Sequence, residues 1–154
     1  MHDVVLVLHV AAGAVGLVAG PLAGTARKQR GLHTVAGWTY QACTAVLCAS
    51  TLVLVALAPA LWPFLLLAVP TWAAAVASVV VRRRRRPGWL PLHVQLALGS
   101  YVSFVTAFSV QTVGGLASWL VPSALGALTV SLVTRRVQPT QAKRRQAPAG
   151  PVAA

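Results

Sequence analysis

The sequence predicts an all-α fold, a polytopic transmembrane helical bundle of five spans with the N-terminus outside and the C-terminus in the cytoplasm. Three observations lead there. The 154 residues are 57% apolar and only 9% charged, where a soluble domain carries about 25% charged residues. A mean hydropathy of +0.74 separates the chain equally from disordered sequences. Five apolar runs reach or approach the roughly 20 residues that a helix needs to cross the hydrocarbon core. The 13 lysines and arginines, opposed by the single acid Asp3, occur only in alternate connections, which the positive-inside rule assigns to the cytoplasm.

The first run covers about 4–26. It opens Met1-His2-Asp3, with no basic leader, and positive charge follows it, so it reads as a retained span rather than a cleavable signal peptide. Arg27, Lys28 and Arg30 separate it from the second run, about 34–58, which ends at Pro59. The third run, about 61–81, leads into the arginine run 82–86. The fourth, about 92–113, ends at Gly114-Gly115; the fifth, about 116–134, contains Pro122, a kink that a neighbouring helix can accommodate. Arg135, Arg136, Lys143, Arg144 and Arg145 follow it. Residues 1–136 thus form one transmembrane domain, and 137–154 form a basic tail expected to be disordered. Trp62, Trp89 and Trp119 fall at span boundaries, as interfacial anchors do. The basic clusters sit where they attract anionic lipid at the cytoplasmic face.

The same features exclude function classes. The basic residues are confined to connections between apolar runs, which is not the footprint of a nucleic-acid binder. One acid cannot supply the carboxylate pair of a glycosidase or the ligands of a two-metal site. No nucleophile elbow, P-loop or dinucleotide-binding glycine motif is present. Cys43 and Cys48 are five residues apart and diverge by roughly 140° around a helix, as small core thiols. No enzymatic activity is expected.

Polar stripes run inside the spans. On the first, His9, Gly13, Gly16, Gly20 and Gly24 share a face, which lets a helix or a flat macrocycle approach closely. On the second, His33, Gly37, Tyr40, Thr44, Cys48 and Thr51 share one. On the fourth, His93, Ala97, Ser100, Phe104 and Gln111 share one, beside Gln95, Gly99, Ser103 and Thr106. His9, Gly37, Tyr40, Thr44, Gln95, Ser103 and Thr106 are therefore expected to line an interior cavity. His33 and His93 open spans that start on the same side, whereas His9 lies roughly 25 Å away in depth. His33 and His93 are thus the candidate pair for haem b or another metal, because imidazole is a good ligand for iron, zinc or copper. Arg27, Lys28 and Arg30 are the candidate contacts for propionates or another anion.

These residues also carry a resemblance. His9 with Gly13, Gly20-Pro21, the basic loop, His33, the stretch Gly37-Trp38-Thr39-Tyr40, Trp72, the arginine run and His93 resemble the bacterial predicted-membrane-protein family called domain of unknown function 2306. The fourth span opens His93-Val94-Gln95-Leu96, where the family pattern has His-Arg and then Trp-Met. The resemblance implies a small multi-span protein of the bacterial inner (plasma) membrane, with His9, His33 and His93 at the family's histidine positions. Three functions remain open: haem or metal binding in electron transfer, binding or transport of a small solute or lipid, and an accessory role in a membrane complex or homo-oligomer.

Overall fold

In the computed structural model, residues 2–27 and 31–146 are described, with side chains through residue 137. The described residues form five long helices: α1 (His2–Thr25), α2 (Leu32–Leu57), α3 (Leu65–Arg84), α4 (Trp89–Val113) and α5 (Gly115–Gln146). A six-residue 3-10 helix, Pro59–Phe64, precedes α3. Pro59 and Pro63 withhold backbone donors there, so the chain enters its third span through a tighter turn. With that turn included, five stretches are long and apolar enough to cross a membrane. This is a multi-pass membrane protein.

Its packing is that of a protein solvated by lipid. Large apolar side chains cover the outside of every helix; Val7, Val18, Val35, Leu66, Leu116 and Leu125 are all more than half exposed. The largest fully buried side chains are instead Thr44, Thr106, Ser78 and Ser100. In water this arrangement would expose far more contiguous apolar surface than a monomer tolerates. In hydrocarbon it is favourable, because helices associate there through small residues and hydrogen bonds rather than by burying leucine.

Successive helices run antiparallel. α1 packs chiefly on α2, α3 on α4, and α5 on α4, with slighter α2–α3 and α1–α4 contacts. Gly114 and Gly115, at φ of 73° and 74°, turn α4 sharply into α5 in a conformation that other residues rarely adopt. The turns after α1 and α3 and the late part of α5 lie at one end, and they carry Arg27, the run 82–86, Arg135 and Arg136, all exposed. We call this the basic end.

Two element boundaries differ from expectation. α4 begins at Trp89, ahead of its apolar run. α5 continues to Gln146, into the tail expected to be disordered, whose remaining residues 147–154 lie outside the described residues. The extension passes through Pro139, which removes one helical donor, and the Gln, Lys and Arg that follow are good helix formers that prolong a helix already nucleated in the membrane.

The helix ties and the candidate sites

The interior is built from hydroxyls that serve two helices each. Ser100 donates to the Ala97 carbonyl on its own helix at 2.8 Å, and its oxygen then accepts from the Tyr40 hydroxyl of α2 at 3.1 Å. Ser50 donates to the Leu47 carbonyl at 2.9 Å and accepts from His9 Nδ1 of α1 at 2.8 Å. Thr106 donates to the Val102 carbonyl at 3.0 Å and accepts from Ser123 of α5 at 3.3 Å. Each of these three hydroxyls satisfies its own backbone first, and its remaining lone pair receives the neighbouring helix.

A second set of ties runs from side chains to the carbonyls of neighbouring helices. Gln41 Nε2 donates to Ala75 O at 2.8 Å, and Cys48 Sγ to Ala68 O at 3.3 Å, both from α2 to α3. Tyr101 Oη of α4 donates to Leu17 O of α1 at 3.0 Å. That carbonyl is the one that Pro21, four residues on and lacking an N–H, leaves without its helical partner. Gly20, next to it, makes room for the ring: a Cβ there would collide with Tyr101. A Cβ on Gly16 would stand 2.7 Å from Phe104 Cζ. Two members of the α1 glycine stripe therefore receive aromatic rings of α4, while Gly13 has ordinary contact with Leu47 and Gly24 is open. Tyr101 and Phe104 lie 6.1 and 5.9 Å from the Tyr40 ring, and this trio fills the space between α1, α2 and α4.

His33 Nδ1 donates to Ala23 O of α1 at 2.6 Å, and His93 Nδ1 donates to Ser78 O of α3 at 2.9 Å. A carbonyl can only accept, so a neutral imidazole in either place carries its proton on Nδ1 and its lone pair on Nε2. Each histidine opens the second helix of a hairpin and ties it to the last turns of the first, beside a basic connection. His93 is also 6.4 Å from the Trp89 ring. His9 makes its tie at the other end of the α1–α2 pair. Among the described residues, no three His, Cys, Asp or Glu side chains gather as a metal group. Arg27 is exposed at the end of α1, while Lys28 and Arg30 lie outside the described residues.

The residues expected to line a cavity divide by environment. Tyr40, Thr44 and Thr106 are buried, with Thr44 and Thr106 at most 1% exposed, and Tyr40 reaches from α2 to Ser100 and Phe104 of the α4 stripe. Gly37, Ser103 and His9 are half-buried. Gln95 departs from the expectation: it is exposed.

The concavity that sequence reasoning missed is on the outside. A groove of about 510 Å³ runs between α1 and α2 from the basic end. Its floor is Ala19 and Ala36; its walls are Val15, Val18 and Leu22 from α1 and Leu32 and Val35 from α2; Thr39 is the only polar side chain in it. Alanines at the helix contact face beside branched residues on the outer face are the signal that could have found it. At the basic end, Arg83 also lies over the Trp38 ring, 5.8 Å from its centroid, joining the start of α2 to the end of α3.

No family model matches the chain, and no curated protein or solved structure matches it.

Proposed function

We propose that this is an inner-membrane protein, N-terminus out and C-terminus in, that binds anionic phospholipid of the cytoplasmic leaflet at its basic end. One observation carries the reading: Arg27, the run 82–86, Arg135 and Arg136 are all exposed at one end, while the interior between α1, α2 and α4 is filled by Tyr40, Tyr101 and Phe104. A polar solute path would need those stripes open. An assembly interface built on the α1 glycines would need Gly16 and Gly20 free, yet they already receive rings. Basic residues near an anionic surface contribute about 1 kcal/mol each. The motif series supports placing the chain in the family called domain of unknown function 2306.

The test is the lipid that travels with the protein. Extracted in mild detergent and delipidated stepwise, it retains anionic phospholipid above the proportion in the parent membrane. Retention in bulk proportion would refute the reading.

A second reading has its own support. Ligating histidines commonly donate their other ring N–H to a backbone carbonyl, as His33 and His93 do. Coordination of haem b by that pair, with Arg27, Lys28 and Arg30 on its propionates, requires the two Nε2 atoms to face one iron. The purified protein, expressed with ample haem, would then give a Soret band that His33→Ala or His93→Ala abolishes and His9→Ala leaves intact. A featureless spectrum removes this reading.

A further inference from the structure

We propose that the groove between α1 and α2 is a specific site for one acyl chain of an anionic phospholipid, whose phosphate is held by Arg27. This rests on the lipid-binding reading and gives it an address.

Depth is the first argument. The α1 side of the groove runs from Ala14 to Leu22, about 12 Å at 1.5 Å per residue. That is most of one leaflet of a hydrocarbon core about 30 Å thick. The groove therefore begins near the basic end and ends at about the middle of α1, as one chain of one leaflet does. Its chemistry is the second argument. With Thr39 its only polar side chain, the groove offers nothing to a polar solute, but apolar walls around an alanine floor suit a flexible hydrocarbon chain. Charge is the third. Leu22 and Leu32, the lining residues nearest the basic end, flank the short connection that carries Arg27. A chain seated in the groove thus brings its headgroup to a guanidinium, which pairs readily with phosphate. Shape persistence is the fourth. The bonds His33–Ala23 and His9–Ser50 pin the two helices together at either end of their contact. The groove is therefore preformed, and a chain entering it loses little to reorganisation.

The test uses the full-length protein in detergent, with native mass spectrometry counting bound phosphatidylglycerol and phosphatidylcholine of matched chains. Val35→Trp fills the groove from an exposed wall. Val7→Trp, on an equally exposed stretch of α1 far from the groove, controls for a surface tryptophan. Arg27→Gln removes the headgroup contact, and a variant with all five arginines of 82–86 changed to Gln reports general electrostatic attraction. We expect one tightly held phosphatidylglycerol, lost in Val35→Trp and kept in Val7→Trp. Arg27→Gln should lower the preference over phosphatidylcholine about fivefold, the factor for roughly 1 kcal/mol per basic residue. A preference that survives Val35→Trp and Arg27→Gln but falls in the 82–86 variant overturns this site and leaves the general reading standing. No preference in the wild type overturns both. Equal loss of both lipids in Val7→Trp and Val35→Trp means annular lipid only, and also overturns the site.

Discussion

Tyr101 illustrates how three residues on two helices solve one problem. Pro21 leaves the Leu17 carbonyl without a helical donor deep in the bilayer, Gly20 admits a ring beside it, and the Tyr101 hydroxyl supplies the missing hydrogen bond. Tyr101→Phe should therefore destabilise the bundle by about 0.6 kcal/mol, the mean for side-chain hydrogen bonds between membrane helices, and by no more than about 1.7 kcal/mol, the maximum. Pro21→Ala returns the Leu17 carbonyl to its own helix, so Tyr101→Phe should be nearly neutral in that background. A double-mutant cycle by reversible denaturation in bicelles measures this coupling, and additivity would contradict it. Gly20→Ala should destabilise by about 1–3 kcal/mol through overpacking. Gly37→Ala and Gly99→Ala, with nothing near the added methyl, should not. The sequence made the glycine face and the Gly20-Pro21 pair visible. It did not identify the visitor, because a gap left by glycine is the same whether a backbone, a ring or a macrocycle fills it.

At the scale of the element, α5 is the outlier. It packs on α4 alone, apart from the Trp119 ring 6.2 Å from Phe64 in the 3-10 turn. Its seat on α4 is Gly126, where any Cβ would collide with Val102, together with the Ser123–Thr106 bond. Gly126→Leu should separate α5 from α4 while leaving α1 to α4 assembled. Cysteine pairs at 106/123, the other contact between these helices, would lose their crosslinking and pairs between α1 and α2 would keep it; loss of both would show that α5 is integral to the bundle. All five spans were legible, since run length and charge do not depend on tertiary contacts. The helical continuation of α5 to Gln146 was not, because hydropathy falls where the membrane ends and Pro139 reads as a helix stop. The groove was equally hidden. Its residues are ordinary lipid-facing apolar ones, and only the spacing of α1 from α2 makes a concavity of them.

For the whole molecule, asymmetry of charge is the dominant property. Every lysine and arginine in the sequence follows an odd-numbered span, and the antiparallel packing gathers those described at one end. The membrane field and the anionic leaflet both favour that end in the cytoplasm. Lipid retained at the basic end should therefore depend on ionic strength: raising salt from low to molar concentration during purification should strip headgroup-held lipid, as screening shortens the Debye length from about 10 Å at 0.1 M to about 3 Å at 1 M. Unchanged retention would assign the association to the apolar faces alone.

Orientation underlies the lipid reading, the groove site and the shared depth of His33 and His93, so it is the claim to test most directly. The measurement is a pair of dual reporters active on opposite sides of the membrane, one fused after Ala154 and one inserted between Gly114 and Gly115. The account predicts a cytoplasmic signal at Ala154 and a periplasmic signal at the glycine turn. The reverse pattern, or the same side for both, would contradict it.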